Sequence, residues 1–203
     1  MESGYVLGPS ELFTVFFVMV GPLEHLGPFA AVTKDMTQAQ VSSLAYRSTA
    51  IIIPVVVILG LFGRQLLHEW HIPIPILQLT AGIIFAIMAF KLLLFHKKEE
   101  VVISMDDKNA MAPLTMALKI IINPYVCGTL IVLLASSQST ERTILIFTML
   151  IINLILDGVA LRFIRIFAGK AGIVILQILG SVLGVMQAAL AITVIHFSLQ
   201  MLK

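Results

Sequence analysis

Gly21-Pro22-Leu23-Glu24-His25-Leu26-Gly27-Pro28 lies inside an apolar run that starts at Leu12 and ends at Thr33. Each proline removes a backbone donor and crowds the preceding turn. Each glycine costs about 1 kcal/mol against alanine in a helix interior. A continuous helix is therefore not expected across this segment. At about 1.5 Å per residue from Leu12, the break falls roughly 15–20 Å along the run, near the middle of a bilayer. Peptide groups opened at that depth are tolerated only where protein or a water-filled cavity surrounds them. Asn123-Pro124-Tyr125-Val126-Cys127-Gly128 repeats the situation in a second apolar run.

The rest of the chain makes the membrane reading firm. Hydrophobic residues are 59% of the 203 positions and charged residues 12%, with a mean hydropathy of +1.05. Soluble domains carry about twice that share of charge. The apolar residues also cluster, at 12–20, 51–62, 120–135 and 173–195. A helix needs about 20 mostly apolar residues to cross the hydrocarbon. Six spans are predicted, at 12–33, 48–67, 75–95, 112–135, 142–163 and 173–199. The fold class expected is an all-α integral membrane protein. Residues 1–11 carry Glu2 and Glu11 without Lys or Arg, the wrong charge for a signal peptide, so the first run is expected to be kept as a span.

Positive charge sets the expected orientation. Lys34, Arg47, Lys91, Lys97, Lys98, Lys108, Arg162, Arg165 and Lys170 fall at the connections after spans one, three and five. Arg64, Arg142 and Lys203 fall on the other side, and Lys119 inside a span. Both termini are thus expected outside the cytoplasm, with the chain in the inner (plasma) membrane. The mixed charges of 96–111 read as a cytoplasmic linker between two halves, 1–95 and 112–203.

Those halves resemble each other. Ile76-Leu77-Gln78-Leu79-Thr80-Ala81-Gly82 in span three matches Ile175-Leu176-Gln177-Ile178-Leu179-Gly180-Ser181 in span six. Leu59-Gly60 and Arg64 in span two fall opposite Asp157-Gly158 and Arg162 in span five. Spans one and four share the mid-span proline, with Gly27 and Gly128 following. Three spans per half is an odd number, so the halves must insert oppositely. Such inverted repeats, with helices broken mid-membrane, are typical of secondary transporters.

Half-helix ends brought together from two broken spans hold a carboxylate at their positive ends and a cation at their free carbonyls. A zwitterion suits such a site. Gly21, Pro22, Glu24, His25, Gly27, Asn123, Pro124 and Gly128 are the expected substrate-binding residues. Glu24 is the leading ionisable residue, because a carboxylate mid-membrane costs at least about 2.5–3.5 kcal/mol unless paired, protonated or wet. Its alternative reading is a structural pair with Lys119 or His25. Asp157, four residues after Asn153 on one helix face, either lines the cavity or pairs with Arg162. Glu24 and Asp157 are the ion-coupling candidates.

Other polar residues read as structural. Gln78, Thr80, Gln177 and Gln187 suit helix–helix hydrogen bonds, and Gly180-x-x-x-Gly184 with Gly82-x-x-x-Ala86 suits close packing. His68, Glu69 and His71 suit a solvated loop. A single Cys127 excludes an internal disulfide and a cysteine-based metal site. No Walker loop, zinc signature or nucleophile elbow is present, so neither an enzyme nor a metal or other cofactor is indicated. No basic stripe points to nucleic acid.

With these residues in view, the chain resembles the MarC family, six-span bacterial and archaeal membrane proteins related to the LysE and TerC transporter groups. The likeness runs from about Phe13 to Leu199. It rests on Pro22-Leu23 with Phe29 and Thr33, on His71-Ile72-Pro73-Ile74-Pro75 followed by Leu79-Thr80-Ala81-Gly82-Ile83-Ile84, and on Ala112-Pro113-Leu114. Where the family usually has Asn-Pro-x-Gly in span one, this chain has Gly21-Pro22-Leu23-Glu24. The resemblance implies a carrier of small neutral amino acids such as alanine and glycine. The expected function is thus secondary transport of a small zwitterion by alternating access, with lipid and the solute as partners and room for a homo-oligomer. The rivals are a cation exporter liganded by Glu24, His25 and Asp157, and a non-transporting subunit of a membrane complex.

Overall fold

The computed structural model describes residues 6–94, 124–137, 139–167 and 170–203. Among these every regular element is an α-helix: α1 (Pro9–Val20), α2 (Pro22–Val32), α3 (Gln38–Glu69), α4 (Ile74–Leu94), α5 (Pro124–Ala135), α6 (Thr140–Arg162), α7 (Ile164–Phe167) and α8 (Lys170–Met201). Five stretches are long and apolar enough to cross a membrane, the first being α1 and α2 taken together. The shorter apolar helix α5 occupies the described end of predicted span four. The linker, Lys119 and Asn123 lie outside the described residues.

Local signals fix the helix starts. At α1 the Glu11 carboxylate accepts from the Gly8 N–H at 2.6 Å, occupying one of the donors a helix start leaves open. Thr37 and Gln40 form a capping box that starts α3 ten residues before the predicted span. Hydropathy marks only the apolar stretch, whereas the helix runs on beyond it through polar residues. Ser139 accepts from the Arg142 N–H to start α6. Pro54 sits inside α3 without ending it.

The exterior is greasy. Ile58, Phe62, Ile175 and Ile192 are strongly exposed, from 64% at Ile175 to 70% at Phe62. In water such a surface would drive association, but facing lipid chains it needs no partner. The interior brings together Phe16, Phe29, Phe85, Ile52 and Leu130, all fully buried.

The helix pairs have a pattern. α4 packs most extensively on α8, and α3 on α6. α1 lies against α6 and α8, while α5 lies against α3 and α4. Exchanging span one with four, two with five and three with six turns this set of contacts into itself. Glycine lets the α4–α8 pair close up. A Cβ at Gly82 would stand 2.7 Å from an Ile195 side-chain carbon and 3.3 Å from the Ala191 carbonyl oxygen.

Candidate functional site

The first predicted break is present and narrower than the sequence suggests. Gly21 alone is extended, with φ −76° and ψ 175°, and both ends α1 and caps α2. Its N–H donates to the Phe17 carbonyl at 3.0 Å. A side chain at position 21 would collide with that same carbonyl oxygen, so the position requires glycine for closeness rather than for an unusual φ. Helix resumes at Pro22 because the first helical position has no use for an N–H. It continues through Gly27 and Pro28, correcting the expectation of a break along the whole 21–28 segment. With no water competing for peptide groups, the helix survives the lost bond. Pro22 still leaves the Val18 carbonyl without its i+4 donor, and Pro28 does the same for Glu24.

The second break falls at the edge of the described residues. α5 begins at Pro124, and what precedes it is not described. Gly128 meets no crowding, its nearest neighbour being Ile84 at 3.7 Å from an added Cβ, and Gly27 is open.

Immediately after the first break, α2 sends two adjacent residues in different directions. His25 faces α6, where its Nδ1 lies 3.1 Å from the Asp157 Oδ2. Their side chains are 1% and 2% exposed. With the carboxylate accepting, Nδ1 carries the proton of that bond. The remaining atoms, His25 Nε2 and Asp157 Oδ1, are buried and have no hydrogen-bond partner among the described residues. One turn earlier on α6, Asn153 donates from Nδ2 to the Met149 carbonyl at 2.8 Å and the Phe13 carbonyl at 3.5 Å. Its Oδ1 is likewise buried and unpartnered. Nearly all buried polar atoms find partners, so three open ones on facing helices call for an occupant.

Glu24 faces α4 instead. Its Oε1 accepts from Lys91 Nζ at 3.3 Å, with the side chains 25% and 31% exposed. Lys91 also stands 6.0 Å from the centre of the Tyr125 ring. The ammonium therefore joins the first turn of α2 to the first turn of α5. The partner of Glu24 among the described residues is thus Lys91; the expected alternative Lys119 lies outside the described residues. Asp157 pairs with His25 and not with Arg162, whose carbonyl accepts from Gln38 at 2.8 Å. Counted along their helices, all four charged residues lie about 22–26 Å from the ends predicted to be non-cytoplasmic.

Glu24, His25 and Asp157 do not converge. No three His, Cys, Asp or Glu side chains among the described residues come near enough to share a metal ion. Sequence reasoning missed two further polar groups. Lys91 falls among the connection charges by sequence, yet its place three residues before the end of α4 lets it reach Glu24. Thr129, whose buried hydroxyl has no partner among the described residues, is a single polar residue in an apolar run and gave no periodic signal.

Residues 10–202 match the family described as MarC family integral membrane protein. The chain belongs to the MarC family. No curated protein and no solved structure matches it. The MarC match covers nearly the whole chain, so the Gly21 break, the His25–Asp157 pair and the Glu24–Lys91 pair all lie within family sequence. It also confirms the resemblance drawn from the span-one and span-three motifs, and with the apolar helices it makes this a multi-pass integral membrane protein.

Proposed function

We propose that this MarC protein is a secondary transporter of a small zwitterion, of the neutral amino-acid type, working by alternating access rather than as an enzyme. The observation that carries the reading is a buried, incompletely bonded His25–Asp157 pair directly after a helix break. A merely structural pair would be expected to fill its remaining bonds, because each open buried group costs about 1–3 kcal/mol. The break leaves the Val18 carbonyl without its i+4 donor and the start of α2 supplies N–H groups, the two kinds of group a zwitterion needs.

The exchange symmetry of the helix contacts supports two inversely inserted halves, 1–95 and 112–203. A site between such halves opens to one side at a time when one half rocks against the other. Lysine and arginine bias supports an inner-membrane location with both termini outside. At the predicted cytoplasmic end, Arg165 donates to the Met36 carbonyl at 2.6 Å, tying α7 to the turn between α2 and α3. A cation exporter liganded by Glu24, His25 and Asp157 together is less well supported, since Glu24 is turned to Lys91.

The test is a proteoliposome uptake screen with labelled alanine, glycine, serine and divalent metals. Saturable uptake of an amino acid, lost in His25→Gln, is expected. Flux no different from empty liposomes for every solute would contradict the reading.

A further inference from the structure

The end of the bundle predicted to face the cytoplasm carries a small cleft that the transport reading does not use. Ala30, Thr33 and Lys34, from the end of α2 and the turn after it, line one side. Ile164 and Arg165 of α7 line the other. The cleft has a volume of about 120 Å³, room for several water molecules and ample for one phosphate group.

Its polar lining is cationic. Lys34 and Arg165 are both exposed, and neither forms an ion pair with another described residue. Arg165 gives one N–H to the Met36 carbonyl at 2.6 Å, which holds the side chain across the turn and leaves further donors on a five-donor fork. The oxygens of Thr33 are already engaged. Its hydroxyl donates to the Phe29 carbonyl at 2.8 Å and its own carbonyl accepts from the Met36 N–H at 3.1 Å. Asp35, the acid next to Lys34, is exposed and pairs with neither cation.

The residues flanking this lining in the chain are apolar and turned outward. Ile164 is anchored in the core at 3% exposure, whereas Ile166 is 71% and Phe163 44% exposed. They follow Arg162, where span five ends, so α7 presents apolar side chains and a guanidinium together at the membrane's edge. A soluble anion would use the cations alone. A phospholipid uses both, and basic pockets between spans at the cytoplasmic side bind anionic headgroups.

We propose that this cleft holds the phosphate of an anionic phospholipid between Lys34 and Arg165, with the acyl chains running along Phe163 and Ile166. The lipid joins the turn after α2 to α7. The inference stands whether or not the protein carries a solute.

Native mass spectrometry of the delipidated protein tests it, with dioleoylphosphatidylglycerol and dioleoylphosphatidylcholine as probes of equal chain length and different headgroup charge. The wild type should bind the first phosphatidylglycerol more tightly than phosphatidylcholine. Lys34→Gln should weaken that binding about fivefold, and Lys34→Gln with Arg165→Gln roughly 25-fold, with phosphatidylcholine binding unchanged in both. Arg47→Gln removes an exposed cation predicted at the same membrane face that does not line the cleft, and should behave as wild type. If losing the Arg165 bond to Met36 unfolds the double variant, Lys34→Gln decides. Equal binding of the two lipids by the wild type overturns the inference. An Arg47→Gln loss matching that of Lys34→Gln does so too, because it makes the attraction a property of the whole face. Displacement of phosphatidylglycerol by millimolar inorganic phosphate also overturns it, assigning the cleft to a soluble anion.

Discussion

Glu24 and His25 are neighbours in α2, yet they meet their charge partners in opposite surroundings. The Glu24–Lys91 pair is a quarter to a third exposed and joins three helices at their ends. The His25–Asp157 pair is almost wholly buried and leaves an atom open on each side chain. A partly wet pair contributes little and can be remade cheaply, as a contact that opens and closes must be. A buried pair costs several kcal/mol to desolvate and loses its compensation when one partner goes. On the proposed transport reading the two pairs divide the labour along one helical turn: the buried pair receives the ligand, and the wet pair latches α2 and α5 to α4.

The comparison can be broken hardest at Asp157. Asp157→Ala leaves a buried histidine without its partner and should lower stability by about 3–5 kcal/mol, read as thermal unfolding in detergent. The double change His25→Phe with Asp157→Leu should recover most of that loss while remaining unable to bind L-alanine. If the double variant is as unstable as the single one, burial of the pair is not what the single change exposed. Gly21→Val comes next. Its side chain must push away the Phe17 carbonyl, for about 1–3 kcal/mol as with other overpacked sites. Transport should fall with it, because the break is displaced. The smallest effect belongs to the wet pair. Glu24→Gln and Lys91→Met should each change stability by less than about 1 kcal/mol, with a double-mutant coupling in the same range. Their larger signature should be kinetic, an altered rate of labelled alanine exchange. A coupling energy as large as that of the buried pair would erase the distinction.

The apolar runs, the break at Gly21-Pro22 and the common face of Asn153 and Asp157 were legible in the chain because each is a local property. Hydropathy over about 20 residues, a missing N–H and a four-residue spacing need no knowledge of neighbours. The width of the break was not legible, since counting prolines and glycines ignores that Pro22 starts a helix well and that a membrane helix tolerates Pro28. Partners were not legible either. His25 and Asp157 are 132 residues apart, and Glu24 and Lys91 are 67 apart. Periodicity names the face of a helix that turns inward, but the helices that come to surround α2, α6 foremost, decide which residue that face meets. Lys91 illustrates the point, because its charge marked it for the aqueous edge while its long stem let it reach Glu24.

The most direct measurement loads proteoliposomes with labelled L-alanine and follows its exit in wild type and in Asp157→Asn. Saturable alanine efflux in wild type, lost in Asp157→Asn, is the expected result. Efflux no faster than leakage from protein-free liposomes, or an Asp157→Asn trace that overlays the wild type, would contradict it.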